Sequence, residues 1–507
     1  MYTTNTNSSS KQFFLILLLS SLCFNLTAQN APKTYPYGDE FLLGFYDLNS
    51  SFFNDYDTLK KIGWNTAHSY GDHDNSKKQK VYLDTCQNKG INSMPRLKVT
   101  TLRIDKPCNA SALLGCEVRH PFVTTYNPLE NTQIDIEGQM GYSFSMWDMP
   151  EELRNNYYLT VNDTNYPAID TVREYDILEQ YPVTIRKHDL MQRPVEMFFT
   201  TYNRDIADFT PHLDILLMGA YPDHSRGMSY PDTSIKINKQ VPHSLLSWRI
   251  EDTKNRVDSA YTLGKDYLNG EKTVMAALES YYYDDKYGVL LDSFTTIKEK
   301  TWHDFWLALA CDVKGIMMYS YRRAKTIPNI PGKYLHSNLD TLHHAVGIFK
   351  ANKLGKVLLQ GKEDPLVSDS AYVVSGPTET IPFYYEPWHM AFENYPSLIQ
   401  RSSIKLLTKK WQGNTYIFAV NSTEDSVKFT IPFDTDIPDA TLGASALTLP
   451  GKELITGQTL AWPSRYDDSN LSGFYKGFIE YSLPAYGAAV FKYNSSHTLD
   501  LSIRDCA

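Results

Sequence analysis

The fold is decided by residues 41–70, which read FLLGFYDLNSSFFNDYDTLKKIGWNTAHSY. The apolar run over 41–48 predicts a strand, and apolar residues at helical spacing over 53–62 predict a helix that ends at Gly63. Residues 64–70 then predict a second strand. A strand, a helix and a strand at this short spacing are typical of parallel βα units.

The same alternation continues to residue 352. It predicts helices over 77–88, 172–187, 206–212, 251–268, 293–311 and 339–352, and strands over 91–99, 141–147, 193–199, 213–222, 272–283 and 314–321. We therefore predict an α/β fold, a (β/α)8 TIM barrel over residues 30–355, with insertions at 100–140 and 153–171. A doubly wound open sheet is the alternative, but no glycine-rich phosphate loop follows the first strand.

After residue 355 the pattern changes to short strands separated by turn residues. The predicted strands are 356–360, 371–374, 404–409, 415–421, 426–432, 477–483 and 488–493. This pattern predicts an all-β sandwich domain over residues 356–495. Residues 496–507 are polar and are predicted to be a loose tail.

The N-terminus resembles a secretion signal. Lys11 precedes an apolar run over 13–26, and Thr27-Ala28-Gln29 follows it, so residues 1–29 predict a cleavable signal peptide and a secreted or periplasmic protein. A membrane anchor is the alternative, but the run is shorter than the roughly 20 apolar residues that a membrane span needs. A lipid-modified Cys23 is a further alternative, and Leu22 stands where a small residue is expected.

Composition excludes several classes of protein. The net charge is −9, with 49 basic and 58 acidic residues and no basic run, which argues against nucleic acid as a partner. Five cysteines follow the predicted signal, without the spacing of a metal site, so we expect neither a disulfide framework nor a metal or cofactor. Cys108 and Cys116 are close enough in sequence to close one local loop. Aromatic residues are abundant, and their faces either stack on sugar rings or fill ordinary cores.

Several phrases, taken in order, resemble the strands of secreted glycoside-hydrolase-type barrels. They include Gly44-Phe45-Tyr46, Leu59 to Asn65, Trp147-Asp148-Met149-Pro150-Glu151, Arg193-Pro194-Val195, Tyr221-Pro222 and Gly315 to Tyr321. The resemblance covers residues 40–350, and residues 416–421 are similar to the β-sandwich that commonly follows such barrels. The signal ending in Thr-Ala-Gln is similar in style to those of Bacteroidetes.

This resemblance implies catalytic carboxylates at the ends of the fourth and seventh strands. Asp148 and Pro150 match the fourth-strand motif, although Met149 stands in the place of its glutamate. Glu279 matches the seventh-strand position of a nucleophile. Gly219 stands where an aspartate commonly precedes the Tyr-Pro pair of the sixth strand.

Glycoside hydrolysis needs one carboxylic acid to protonate the leaving oxygen and a second carboxylate as nucleophile or base. The predicted catalytic residues are Glu279, Asp148 and Glu151. The predicted substrate-binding residues are His68, Tyr70, Arg96, Trp147, Tyr221, Asp223, Tyr281 and Tyr319. Each has a structural alternative: a helix cap for Asp148, a first-turn acid for Glu151, and ordinary packing for lone His or Arg residues.

The sequence thus predicts a secreted glycoside hydrolase that acts on a polysaccharide or oligosaccharide. The alternative is a non-catalytic carbohydrate-binding protein that kept the barrel but lost the acid at position 149. Acyl transfer and zinc hydrolysis have no support, because the chain has neither a Gly-x-Ser-x-Gly nor a His-Glu-x-x-His motif.

Overall fold

The structure is a computed structural model. It describes residues 40–70, 72, 76–94, 146–148, 185–186, 189, 193–199, 213–219, 273–283, 294–325, 335–364, 367, 370–376, 380–384, 398–438, 449–462, 464–466 and 474–494. The predicted signal peptide, the predicted tail, the insertion at 153–171 and the helices predicted over 206–212 and 251–268 lie outside these residues, as does the insertion at 100–140.

Eight strands form one parallel sheet. They are β1 (Leu42–Phe45), β2 (Thr66–His68), β3 (Asn92–Met94), β4 (Trp147–Asp148), β5 (Val195–Phe199), β6 (Ile215–Gly219), β7 (Thr273–Glu279) and β9 (Gly315–Tyr319). Every pair is parallel, and the order is β3-β2-β1-β9-β7-β6-β5-β4. β1 and β9, which come first and last in the chain among these strands, are therefore neighbours in the sheet. The order never reverses as it would in a doubly wound sheet.

The two edge strands of this sheet, β3 and β4, approach each other. Met94 of β3 and Met146, just before β4, belong to one apolar cluster. His68 Nε2 at the end of β2 lies 2.8 Å from Asp148 Oδ2 at the end of β4. The sheet therefore curls into a near-closed barrel, and the predicted α/β barrel class is confirmed.

Helices cover the outside of the sheet. A 3-10 helix, Ser50–Asp55, leads into α1 (Tyr56–Ile62). The helices that follow among the described residues are α2 (Ser76–Lys89), α3 (Phe294–Ala310), α4 (Tyr321–Lys325), α5 (Leu339–Ala351) and α6 (Leu354–Gln360). Among the described residues, no helix is long and apolar enough to cross a membrane.

The strands divide their side chains between two apolar clusters, because successive residues point to opposite faces. On β1, Leu43 and Phe45 pack outward with the helices, whereas Leu42 packs inward with Met275 and Met317. Gly44 also lies on the inner face, and a Cβ added there would lie 2.5 Å from the Thr66 carbonyl oxygen. The barrel interior is thus filled with side chains at close packing.

Two antiparallel sheets follow the barrel. Their strands are β11 (Tyr372–Ser375), β12 (Thr380–Tyr384), β13 (Leu398–Ser402), β14 (Ile404–Trp411), β15 (Asn414–Asn421), β16 (Val427–Pro438), β17 (Leu449–Glu453), β18 (Thr459–Trp462), β19 (Ser464–Tyr466), β20 (Phe474–Leu483) and β21 (Ala488–Asn494). One sheet has the order β14-β15-β21-β17-β18 and the other β11-β16-β20-β19, while β12 and β13 form a separate pair. The two larger sheets share one apolar cluster, which includes Ile417 of β15 and Phe429 of β16.

Two predictions of local structure were wrong. The strand predicted over 272–283 is two strands, because Ser280 leaves the sheet and Tyr281–Tyr283 (β8) pairs antiparallel with Leu335–Ser337 (β10). The strand predicted over 356–360 is part of helix α6, whose buried residues Leu354, Val357 and Leu358 have helical spacing. Such a short apolar run fits a strand and a helix equally well in sequence.

The domain boundary predicted between residues 355 and 356 lies inside α6. The β elements of the C-terminal part begin later, at β11. The extent of the sandwich domain therefore stays a prediction.

Candidate functional site

The carboxyl ends of the barrel strands carry the polar side chains that face the interior. Tyr46, directly after β1, belongs to the inner cluster, and Tyr319 at the end of β9 packs against it. Met275 and Ala277 of β7 point inward, so the alternation places half-buried Glu279 on the same face. Glu279 is also the register partner of Tyr319. The predicted nucleophile therefore lies at the barrel mouth beside an aromatic ring.

His68 and Asp148 form a buried pair at this end of the barrel. His68 Nε2 lies 2.8 Å from Asp148 Oδ2, and both side chains are 0 % exposed. Because an ionised carboxylate only accepts hydrogen bonds, Nε2 carries the proton when Asp148 is charged. The pair can therefore hold one proton between an imidazole and a carboxyl group, away from bulk water.

Aromatic rings surround this pair. The Tyr46 ring centroid is 4.6 Å from that of His68 and 5.8 Å from that of Tyr70, with which it is nearly parallel. Tyr46 also contacts Phe198 at 5.7 Å and Tyr319 at 6.4 Å between centroids. Tyr46 and Phe198 are themselves buried and keep water from the buried pair. Tyr70 and Tyr319 are instead partly exposed and offer apolar faces on which a sugar ring can stack.

Glu196 is an acidic residue of this interior that the sequence reasoning missed. It is the register partner of Asp148, lies on the same side of its strand as Phe198, and is 0 % exposed. The signal was present in Val-Glu-Met-Phe-Phe, where one acid interrupts an apolar strand. Charged residues are almost never fully buried without a specific role in the structure or the site.

Three further charged residues lie at the mouth. Burial raises the pKa of Asp47, and the charge of Arg322 opposes this rise most strongly. A hydrogen bond from Asn49 Nδ2 to Asp47 Oδ1, at 3.3 Å, opposes the rise as well. The charges of His68 and Arg323 act on Asp47 in the same direction. These residues thus share one electrostatic environment with the buried pair.

Trp147 does not join the site. Its side chain belongs to the outer cluster, is fully buried, and donates from Nε1 to Asp189 Oδ2 at 2.9 Å. Arg193 pairs with Asp189 at 2.8 Å and lies over the Trp147 ring. Burial acts to raise the pKa of Asp189. The hydrogen bonds from Arg193 and Trp147 nevertheless hold this pKa below its ordinary value. We leave Trp147 out of the proposed site because these contacts occupy it.

The remaining predicted residues are placed as follows. Tyr281 lies on β8, opposite Ser337 of β10, and so is outside the parallel sheet. Glu151, Arg96, Tyr221 and Asp223 lie outside the described residues, as does Met149. The part of the chain that the structure describes holds no group of three or more His, Cys, Asp or Glu side chains that could bind a metal ion.

Comparisons with known proteins agree with this architecture. No protein-family model matches the chain, and no curated protein sequence matches it. Among solved structures, the chain is similar to a catalytic mutant of a GH42 beta-galactosidase from G. stearothermophilus, with a TM-score of 0.50 and 9% identity over 91% of this chain and 99% of that one.

A structure described as a glycoside hydrolase has a TM-score of 0.49 and 10% identity, covering 92% of this chain and 99% of that one. An alpha-galactosidase I from Mortierella vinacea has a TM-score of 0.44 and 11% identity, covering 90% and 97%. At such identities the likeness shows the fold alone. The shared fold is an eight-stranded parallel barrel followed by antiparallel sheets.

Proposed function

We propose that this protein is a glycoside hydrolase that cleaves glycosidic bonds of a polysaccharide or oligosaccharide by carboxylate acid/base chemistry. The observation that carries this proposal is the placement of Glu279 and Asp148. Each lies at an inward-facing position at the carboxyl end of a strand of the same barrel, Glu279 on β7 and Asp148 on β4. Barrel enzymes carry their active sites at this face. The partly exposed rings of Tyr70 and Tyr319, which lie against Tyr46, supply the apolar surface that a sugar ring needs.

Glu279 is the nucleophile or base in this proposal. Its side chain is half-buried at the carboxyl end of β7, and Tyr319 is its register partner on β9. A half-buried carboxylate is less solvated than one in water, which makes it a stronger base.

Asp148 supplies the proton in this proposal, in partnership with His68. The 2.8 Å contact holds the Asp148 carboxyl group in one orientation and gives its proton a second site on the imidazole. Glu151 is the alternative acid, because it follows Asp148 by only three positions.

The test is reducing-end release from plant, algal and microbial polysaccharides by the full chain and its variants. We expect Glu279→Gln and Asp148→Asn each to lower the rate by about a hundredfold to ten-thousandfold, the range for a lost acid or base. Glu299→Gln is the matched control, because Glu299 is exposed on α3. Unchanged rates in both site variants would rule out these two residues as the catalytic pair.

A second function is favoured by one feature of the sequence. Met149 stands where the resemblance places a glutamate, and the adjacent Asp148 is fully buried against His68. A barrel that kept its aromatic mouth but lost its acid would bind a glycan without cleaving it. Retained binding to a polysaccharide, with no reducing-end release from any, would support this non-catalytic function.

We also infer that residues 1–29 direct secretion, that residues 30–355 form the catalytic domain, and that 356–495 form a β-sandwich domain. Support comes from the apolar run over 13–26 and from the shared core of the two antiparallel sheets. N-terminal sequencing of the exported protein should give a mature chain that begins near residue 30. An uncleaved N-terminus would contradict the signal.

A further inference from the structure

We propose that Arg322 and Arg323 form an anionic subsite at the barrel mouth, which binds a carboxylate or sulfate group of an acidic glycan. This inference rests on the proposed function, because it names the class of sugar that the same site would accept. It predicts a preference for charged over neutral polysaccharides.

Helix α4 fixes the direction of the two arginines. Tyr321 donates its backbone N–H to the Tyr46 carbonyl oxygen at 2.9 Å, which ties the helix to the end of β1. The Tyr321 ring packs edge-on against Phe45, and Ala324 is also buried in the outer cluster. Positions 321 and 324 therefore face the core, and the two residues between them are exposed.

The third base of α4 is directed elsewhere. Lys325 Nζ lies 3.6 Å from Asp55 Oδ2, and the Tyr321 hydroxyl donates to the same oxygen at 2.9 Å. Asp55 thus anchors the side of α4 that faces the 3-10 helix. Arg322 and Arg323 are the other basic residues of α4, and both act electrostatically on Asp47, which follows β1.

Both guanidinium groups act on residues at the carboxyl ends of β1 and β9. The Arg323 guanidinium carbon is 5.7 Å from the Tyr319 ring centroid, and Tyr319 is the register partner of Glu279. Arg322 and Arg323 both act electrostatically on Asp47, as does His68 of the buried pair. A sugar bound beside Tyr319 would therefore place its substituents near two positive charges.

The chemistry of arginine favours an anionic substituent. A guanidinium group is planar, stays charged at all working pH values, and matches a carboxylate or sulfate with two parallel hydrogen bonds. Asp47 lies in the same electrostatic environment, and its carboxylate repels an anion that enters in the wrong orientation. The pair of arginines and Asp47 together would select both the charge and the pose of the sugar.

The test compares two matched pairs of polysaccharides. The probes are polygalacturonate and its carboxyl-reduced form, and carrageenan and its desulfated form, which separate the carboxylate from the sulfate. Binding is measured by calorimetry and cleavage by reducing-end release. We expect at least one charged probe to bind about tenfold or more tightly than its neutral form, as one hydrogen bond to a charged group allows.

The variants are Arg322→Gln and Arg323→Gln, with Lys325→Gln as the control that removes the same charge from the other side of α4. We expect each arginine variant to lose most of the preference for the charged probe, and Lys325→Gln to keep it. Arg322→Lys and Arg323→Lys should keep only part of it, because lysine keeps the charge but not the bidentate geometry. Far-UV circular dichroism checks that each variant is folded.

The outcomes separate this inference from the proposed function. Arginine-dependent binding of a charged probe without any cleavage would keep the subsite and contradict the hydrolase. Cleavage of neutral and charged probes at equal rates, unchanged in the arginine variants, would keep the hydrolase and overturn the subsite. The subsite would also be overturned if the charged polysaccharide of neither pair were preferred over its neutral form, in binding or in cleavage.

Discussion

His68 and Asp148 are hydrogen-bonded to each other, and both side chains are fully buried. A hydrogen bond to a charged group contributes about 1.5–3 kcal/mol to stability. We therefore expect His68→Leu to lower the free energy of unfolding by about 1.5–3 kcal/mol. Urea denaturation followed by circular dichroism measures the change.

The double variant His68→Leu with Asp148→Leu provides the control for this prediction. It removes both hydrogen-bonding partners together, so its loss of stability should be smaller than the sum of the two single losses. Additive losses would show that the 2.8 Å contact contributes no coupling. The buried pair would then matter for packing alone.

Asp47 gives a prediction for pH. Its pKa is raised from the ordinary value of 3.8 chiefly by burial, so the folded protein disfavours the charged form. A raised pKa in the folded state means that stability is highest below the unfolded pKa and falls as pH rises through the folded pKa. Asp47→Asn should therefore be more stable than the parent at neutral pH, and the difference should vanish below about pH 3.8, the unfolded value.

This substitution suits the backbone as well as the charge. Asp47 has a φ of 56°, in the left-handed region that asparagine tolerates as readily as aspartate. Thermal unfolding from acid to neutral pH measures the effect. A stability difference that stays constant across this range would show that the change does not come from the titration of Asp47.

Some helices and strands could be predicted from the sequence and others could not, and the apolar pattern of each segment explains the difference. Strands such as β5 and β6 were predicted to within two residues at their N-terminal ends, because long apolar runs with turn residues on both sides leave few alternatives. Helix α6 was missed, since a five-residue apolar run has no period of its own and tertiary packing decides its form. Helix α4 was missed because its five residues follow β9 after one residue.

The site was less predictable than the elements. Glu279, Asp148 and His68 were named from strand ends, where a barrel displays its functional residues. Glu196 was overlooked because it lies in mid-strand, and only the pairing of β4 with β5 places it beside Asp148. The outward direction of Trp147 depends on the register of one short strand, which a sequence does not reveal.

At the scale of the whole molecule, the β part is joined to the barrel by a shared core. Tyr416 and Phe418 of β15 belong to the same apolar cluster as Phe305 and Trp306 of α3. Lys409 of β14 also pairs with Asp312 at 2.9 Å, just after α3. A continuous core across two parts of a chain predicts that both unfold together, in a single transition.

A hydrogen-bonded chain at this junction tests that conclusion. His303 of α3 lies with Nδ1 2.8 Å from Asp304 Oδ1 and Nε2 2.8 Å from Ser422 Oγ, and the imidazole is fully buried. In the neutral imidazole that donates from Nδ1 to an ionised Asp304, Nε2 accepts from the serine hydroxyl. Ser422→Ala removes that donor from a buried acceptor, which costs about 1–3 kcal/mol.

We expect Ser422→Ala to shift the urea midpoint of the entire unfolding transition downward, whether it is followed by circular dichroism or by tryptophan fluorescence. The exposed Ser51→Ala is the control, and its effect should stay within about 0.5 kcal/mol. If the junction couples the two parts, hydrogen exchange should rise in α3 as well as in β15 in the variant. Faster exchange in β15 alone, or two separate urea transitions, would show that barrel and β part unfold independently despite their common core.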